Sequence, residues 1–577
     1  YDAGIQMGAI PGGVDVGIIT SNGTTLEYRG GYNPYIVQTI KQIPGRLWHP
    51  DKRIWEFPTT LEVLELLSFP EVEITPEAMN ALRRKREAEK MAQFIKTNAE
   101  KAVPKKPMPI KGGVKPFDHQ VRGFNIGIML SKAGLFMEQG CGKSLTAVAI
   151  AGRRYLDRQV KRVLVVAPLS VLPVWKREFA EYADFPSEVK ILNGPLKKRI
   201  EMLKNFNADA LQVAVINYEA VWRTEIFTAI KAWKPDMVIA DESQRIANHA
   251  AKQSRGMHKL GDSVNYKLIL TGTPITGNPL GFYSQYRFLD PNIFGKSFYA
   301  FRNRYAVMGG YQNKQVVGFQ NKEELVRKAH SIAYRITKAE ALDLPDMVDQ
   351  ELYCELEPSA ARYYQEIVAY NVAELESGEQ VTATNVLTKL LRLQQIAGGH
   401  APEDETGRLA RVSKAKETVL EETLKDLLDA GKKVVIFARF LPEIDVIRDI
   451  AGKLVGDGYR YITGAVPMDS RSRAVEEFQS DPSCRIFIAQ IQTAGLGITL
   501  TAADTAIFYS MDFSYANYEQ AKARIHRIGQ ENKVTYIHLL AQGTVDEKIY
   551  SVLREKKSIA DDVVDNWKQY FTSRRGD

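Results

Sequence analysis

The stretch Met137-Glu138-Gln139-Gly140-Cys141-Gly142-Lys143-Ser144 constrains this chain more than any other. It follows the short apolar run Gly134-Leu135-Phe136 and precedes Leu145-Thr146-Ala147-Val148-Ala149-Ile150. That order predicts a strand, a glycine loop and a helix. Gly140 and Gly142 lack a Cβ, so the backbone can curl and turn its N–H groups toward an anion. Lys143 then reaches outer phosphates, and the Ser144 hydroxyl can hold a magnesium ion. The start of the helix aims its positive end at the same charge. A strict phosphate loop has Gly where Met137 stands, so the loop needs a second observation beside it.

That observation is Pro235-Asp236-Met237-Val238-Ile239-Ala240-Asp241-Glu242, a short apolar run ending in two acids. Such a run reads as a buried parallel strand, and ligands of open α/β sheets sit at the carboxyl ends of strands. Asp241 is placed to hold magnesium, directly or through water, and Glu242 to orient and polarise an attacking water. Together with the loop, the pair implies nucleoside triphosphate hydrolysis.

At 577 residues the chain exceeds one core, and three or four domains are expected. Hydrophobic residues at 45% and charged residues at 25% fit a globular protein. The net charge of +8 permits an anionic partner without naming one. Residues 81–106 hold nine Lys/Arg against three Asp/Glu. Cys141, Cys354 and Cys484 have neither metal-ligand spacing nor an even-numbered framework, which fits a reducing compartment. No apolar stretch is long enough for a bilayer, so no membrane role is expected.

Residues 8–75 read as a small α+β module. Asn33-Pro34 starts a helix whose stripe is Ile36, Ile40 and Ile43, ended by Pro44-Gly45. Leu47-Trp48-His49 and Ile54-Trp55-Glu56-Phe57 around a turn at Pro50-Asp51-Lys52 predict a β-hairpin. Trp48, Trp55 and Arg53, with Arg46 and Lys52, suit base stacking and phosphate contact. The alternative is that both tryptophans are simply core. Residues 76–107 form a basic helical linker, solvated or touching phosphate, that ends in an extended Pro-Lys spacer.

Two α/β regions follow, 108–345 and 346–577. In the first, Arg162–Ala167, Val213–Ile216 and Lys267–Leu270 are core strands ending at Pro168-Leu169-Ser170, Asn217-Tyr218-Glu219 and Thr271-Gly272-Thr273-Pro274. Phe117-Asp118-His119-Gln120 precedes the loop, where the Gln120 amide can read adenine. In the second, strands are expected at Lys432–Phe437, Arg460–Ile462, Arg485–Ala489, Thr505–Tyr509 and Val534–Leu540, with loops at Thr463-Gly464 and Thr493-Ala494-Gly495-Leu496-Gly497. Strands alternating with helices imply doubly wound parallel sheets. Residues 281–410 are less regular and more helical. Gln520, Arg524 and Arg527 are spaced to share one helix face. Two guanidiniums there are either a solvated basic face or fingers that close on a γ-phosphate across a cleft.

With these pieces in order, residues 114–560 resemble the Swi/Snf-type branch of the superfamily-two helicase-like ATPases. Phe117 to Gln120 is similar to the adenine-reading Q motif, Glu138 to Ser144 to motif I, and Ala167 to Ser170 to motif Ia. Asp241-Glu242-Ser243-Gln244 is similar to the Asp-Glu box, Leu270 to Pro274 to motif III, Thr493 to Leu500 to motif V, and Gln520 to Gln530 to motif VI. The usual Asp-Glu-Met-Gly-Leu-Gly-Lys-Thr differs here at Met137, Gln139, Cys141 and Ser144. Gln244 replaces the common His and keeps the capacity to hydrogen-bond across the lobes. The resemblance implies two RecA-like lobes with helical insertions, preceded by the α+β module. It implies ATP and Mg2+ as ligands. His119, Gln120, Gln139, Gly140, Cys141, Gly142, Lys143, Ser144, Gly495, Gly497 and Gln520 would surround nucleotide. Lys143, Asp241, Glu242, Gln244, Arg524 and Arg527 would carry hydrolysis. Ser170, Thr273, Thr463 and Thr493 would hold DNA phosphates.

The segments Tyr35–Gly45 and Asp51–Pro58 are similar to the HepA-related (HARP) domain of annealing helicases. That implies a monomeric double-stranded DNA translocase that rewinds or remodels forks without steady strand separation, among single-strand-binding and other repair or replication proteins. With no chromatin-reading module apparent, a nucleosome remodeller is not expected. A bacterial or viral source, acting in the cytoplasm on nucleoid DNA, fits the layout, or the nucleus in a eukaryote. The rivals are an RNA-polymerase-recycling or defence-system motor, and a nucleotide-gated DNA-binding scaffold with little turnover.

Overall fold

The computed structural model describes residues 16–21, 25–43, 46–59, 61–83, 86, 90, 103–276, 278–310, 315–342, 344–376, 383–402, 409–496 and 498–560. Residues 8–15, the helix stop at Pro44-Gly45, residues 91–102 of the charged run and Gly497 lie outside them.

The first module is a mixed sheet under one helix. Its strands are β1 (Gly17–Ser21), β2 (Thr25–Arg29), β3 (Leu47–His49), β4 (Ile54–Pro58) and β5 (Val72–Ile74), in the order β3-β4-β2-β1-β5. Asn33 caps the helix Pro34–Ile40, its Oδ1 accepting from the Tyr35 amide at 2.9 Å. The predicted stripe of Ile36, Ile40 and Ile43 is buried against Ile19, Leu26 and Phe57. Residues 76–83 are helical, and Ala78 and Leu82 join this same core. The hairpin forms as expected, with Trp48 opposite Trp55 and ring centroids 5.0 Å apart. The two rings differ: Trp55 packs against the core, whereas Trp48 is 46% exposed.

Two parallel sheets follow. The first holds β6 (Lys132–Met137), β7 (Arg162–Ala167), β8 (Ser187–Ile191), β9 (Leu211–Asn217), β10 (Met237–Asp241), β11 (Tyr266–Leu270) and β14 (Ala333–Ile336). Their order is β14-β6-β11-β10-β7-β9-β8, and all pairs are parallel. The hairpin β12 (Ala306–Gly309) and β13 (Gln315–Phe319) stands apart from it. The continuous apolar runs are buried on both faces, as helices covering a parallel sheet require. The second sheet holds β15 (Met347–Cys354), β18 (Val434–Ala438), β19 (Tyr459–Ile462), β20 (Ile486–Gln490), β21 (Thr505–Phe508) and β22 (Val534–Ala541), in the order β15-β22-β21-β18-β20-β19. It too is wholly parallel. A small ribbon of β16 (His400–Pro402) and β17 (Leu409–Arg411) lies outside it. The architecture is therefore two doubly wound α/β lobes after an α+β module.

The less regular segment opens with the expected helical character, in Gly281–Leu289, Pro291–Phe294 and Phe298–Tyr305. Phe282, Tyr286, Phe294, Phe301 and Tyr305 pack edge to face or tilted into the first lobe's core. Among the described residues no helix is long and apolar enough to cross a membrane.

Candidate active site

In the first sheet β6, β11 and β10 are neighbours. Their carboxyl ends therefore bring the glycine loop, Asp241-Glu242 and Thr271-Gly272-Thr273 together, although they are far apart in sequence. The approach is close. A Cβ built on Gly272 would lie 3.2 Å from the Gln139 amide nitrogen.

The loop has the expected curl. Gly140 and Gly142 take φ of 91° and 79°, and Lys143 opens the helix Lys143–Leu156. A Cβ on Gly142 would fall 2.1 Å from the Gln120 Nε2, so a side chain is excluded there twice over. His119 and Gln120 brace the loop from behind. Both reach the Cys141 carbonyl, at 2.9 and 3.4 Å, and the Gln120 Oε1 accepts from the Phe117 amide. The Gln120 amide thus meets backbone with both its nitrogen and its oxygen. An adjoining cavity of about 640 Å³ is lined by Lys115, Phe117, His119, Arg122 and Glu340. The Cys141 thiol is buried, which pushes its pKa up to about 11.

Lys143 is buried, which lowers its pKa against the pull of Glu242, and its Nζ donates to the Met137 and Glu138 carbonyls at 2.9 and 3.2 Å. Ser144 stands half-buried beside it. Asp241 is buried, and burial followed by the neighbouring Glu242 carboxylate raises its pKa. Its Oδ2 accepts from the Trp175 indole at 2.9 Å. Glu242 takes φ of 50° at the strand end. Its Oε1 accepts from the Gln139 amide at 2.8 Å and its Oε2 from the Gln244 amide at 2.7 Å. The Gln244 Oε1 in turn accepts from the Thr271 hydroxyl at 2.7 Å. Gln244 thus bonds inside its own lobe and not across the cleft, to Glu242 and to Thr271, which follows the adjacent β11.

The arginines correct the sequence reading. Gln520, Arg524 and Arg527 do not share a helix face. Helix Tyr515–Lys522 ends at an Ala523 cap, and both arginines lie in the turn beyond it. The cause is tertiary. The Gln530 Nε2 reaches back to the Ala503 and Ile525 carbonyls at 2.8 and 3.3 Å, and the Leu500 amide donates to the Arg524 carbonyl at 2.9 Å. Gly529, at φ of 95°, closes the turn. Gln520 stays half-buried on the preceding helix.

The turn nonetheless faces the loop across the cleft. A Cβ on Gly140 would lie 3.5 Å from the Arg527 Cβ. Arg524 is 5% exposed, and its Nε has no hydrogen-bond partner. Burial, then repulsion from Arg527, lowers its pKa to about 10, still charged at neutral pH. The buried Arg524 with its unpartnered Nε, and Arg527 beside Gly140, fit a polyphosphate, and the Ser144 and Asp241 oxygens fit magnesium. Among the described residues no group of three or more His, Cys, Asp or Glu could hold a metal without such a ligand.

The four expected DNA-contact residues differ. Ser170 is half-buried next to Leu169, which is 66% exposed. The Thr273 hydroxyl is buried without a partner. Thr463 and Thr493 are buried, and the Thr493 hydroxyl donates to the Gln490 carbonyl at 2.6 Å. Gly495 lies in the short helical turn Ile491–Leu496. Sequence reasoning missed Trp175, which holds Asp241, and Tyr218, whose hydroxyl donates to the Asp241 carbonyl at 2.8 Å. It also missed Arg335, which ties β14 to the Phe136 and Gly272 carbonyls at 3.3 and 3.0 Å. None has a local pattern; only a strand neighbour reveals each.

A family model described as SNF2-related domain matches residues 113–400, and one described as helicase conserved C-terminal domain matches residues 415–529. The chain is 29% identical to Chromodomain-helicase-DNA-binding protein 1-like of Danio rerio over 445 residues, covering 74% of this chain and 41% of that protein. It is 27% identical to an uncharacterized ATP-dependent helicase of Mycoplasma pneumoniae over 438 residues, covering 76% and 40%. To transcription regulatory protein SNF2 of Saccharomyces cerevisiae it is 25% identical over 492 residues, covering 80% and 28%. The chain thus spans less than half the length of these relatives. A Sulfolobus solfataricus SWI2/SNF2 ATPase core in complex with dsDNA is similar at 26% identity, covering 82% of this chain and 97% of that one, with a TM-score of 0.39. The SNF2-related match spans the first lobe and the start of the second, and the helicase C-terminal match lies within the second.

Proposed function

We propose that this chain is an ATP-driven motor on double-stranded DNA that remodels or reanneals forks, junctions or bubbles without processive strand separation. The observation that carries this is the meeting of Arg527 with Gly140 across the cleft. A triphosphate cradled by one lobe would be capped by cations of the other, as phosphoryl transfer requires. Relatives named ATP-dependent helicase and chromodomain-helicase-DNA-binding protein support the use of ATP and the binding of DNA.

In this mechanism the loop amides and Lys143 bind phosphates. Ser144 and Asp241 would hold magnesium, which supplies charge neutralisation when bound. Glu242, oriented by Gln139 and Gln244, accepts hydrogen bonding from the attacking water. Arg524 and Arg527 stabilise charge on the transferred phosphoryl group. Duplex DNA is held through phosphates by the strand-end loops near Ser170, Thr273, Thr463 and Thr493, so binding is sequence-independent and salt-sensitive. The exposed Trp48 beside Trp55, with Arg53 in the adjoining turn, offers a stacking surface for unpaired bases at a fork. That surface, with the HARP-like segments, supports the annealing role.

A steady-state ATPase assay without DNA, and with single-stranded, duplex and forked DNA, tests this. Strongest stimulation by forks is expected, lost in Trp48→Ala; indifference to all nucleic acid would sink the DNA motor. A second reading rests on Glu242, whose two oxygens are already engaged by amides. It is a nucleotide-gated scaffold, which would bind ATP and DNA with negligible turnover in every arm.

A further inference from the structure

The arginine turn has no helix to set its position, so what grips its backbone decides where Arg524 and Arg527 point. One grip comes from the opposite lobe. Lys338 follows β14 at the end of the first lobe and opens the short helix Lys338–Ala341, capped by Thr337. Its backbone amide donates to the Glu138 Oε2 at 2.6 Å, inside the phosphate loop. Its Nζ donates to the carbonyl of His526, which lies between the two arginines, at 2.7 Å. A Cβ on Gly140 would lie 3.9 Å from its Cε. A second tether comes from the segment between the lobes, where the His526 Nε2 donates to the Pro345 carbonyl at 2.9 Å. Glu138 is held too, its Oε1 lying 3.7 Å from the Arg335 Nη2.

We propose that Lys338 is a positioning residue that ties the phosphate loop to the arginine turn, so that filling the loop with triphosphate sets Arg527 for catalysis. This rests on the ATPase reading above. Glu138 fixes the lysine at one end and His526 is fixed by it at the other. A shift of the loop is therefore carried to the turn through one residue. The side chain must span the cleft and end in a donor. Lysine and arginine do both, and methionine spans without donating. Burial disfavours the charge of Lys338, opposed most by Glu138, so the cation is kept there against a cost.

The test is ATP turnover by the full chain with saturating duplex DNA, for wild type, Lys338→Met, Lys338→Arg, Arg527→Ala and the Lys338→Met/Arg527→Ala double variant. We expect Lys338→Met to lower kcat roughly 10–100-fold while KM for ATP stays within about 3-fold. Lys338→Arg should recover to within about 5-fold of wild type, and the double variant should be no more than about 2-fold slower than Arg527→Ala alone. An unchanged kcat, or losses that multiply in the double variant, would overturn the coupling. If the Met variant does not fold, Lys338→Gln, too short to span, carries the same comparison. A wild-type chain without turnover would instead overturn the ATPase assignment beneath it.

Discussion

The two walls of the cleft are built on opposite principles. The charged and amide side chains of the wall from the first lobe are tied into internal bonds. Lys143 donates to two carbonyls, Asp241 accepts from Trp175, and Gln139, Glu242, Gln244 and Thr271 form one chain. The wall from the second lobe is under-satisfied. Arg524 is buried with an unpartnered Nε, and Arg527 makes one long bond, 3.3 Å, to the Ile498 carbonyl. The first wall is preorganised and keeps its shape without ligand. The second carries stored electrostatic cost that an anion would relieve. In the proposed reaction the first lobe would hold the phosphates and polarise water, and the second would add the cations that stabilise the transferred group.

This contrast is sharpest at the arginines. Arg527→Ala should lower DNA-stimulated kcat about 10³-fold or more. Thermal melting of the same variant should be unchanged, and Arg524→Met should melt no lower than wild type. Matched losses of activity and stability would erase the distinction between the walls. Glu242→Gln should cost roughly 10²–10⁴-fold in kcat with ATP affinity retained, measured by single-turnover hydrolysis beside equilibrium binding of labelled nucleotide. Gln139→Met should lower kcat by about 10-fold, the value of one hydrogen bond to a carboxylate. If KM rises instead, Gln139 serves the nucleotide and not Glu242.

The smallest effect concerns stability. Burial raises the folded-state pKa of Asp241 to about 7. Between the ordinary carboxylate value and that point the folded chain holds a proton that the unfolded chain has lost. Stability is therefore present at low pH and falls as pH rises through that window. Asp241→Asn removes the loss. It should melt about 2–4 °C above wild type near pH 8 and match it near pH 4. Saturating magnesium and nucleotide should reverse the order at the higher pH by stabilising wild type alone.

The strands that carry the site were readable because they are buried on both faces. Leu164, Val165 and Val166 in β7 and Val238, Ile239 and Ala240 in β10 leave no polar position to confuse a strand with a surface. The strands that escaped are those whose surroundings break that rule. β15 is a largely exposed edge carrying Asp349 and Glu351, and β14 holds the buried Arg335. In the small module β1 and β2 alternate, and their polar half hid them. The spacing of Arg524 and Arg527 misled for a different reason: a turn gripped by Gln530 satisfies the same sequence spacing as a helix.

What the amino-acid order alone determined was the chemistry available: curled glycines before a lysine, two acids after an apolar run, two arginines near the end. These follow from local backbone freedom and from burial of continuous apolar strands, both readable residue by residue. What only the tertiary structure decided was who touches whom. Sheet order made β6, β11 and β10 neighbours, gave Glu242 its two amide partners and set Lys338 between the loop and the arginine turn. Strand order and lobe closure are set by packing between segments far apart in the chain, and no local pattern encodes that distance.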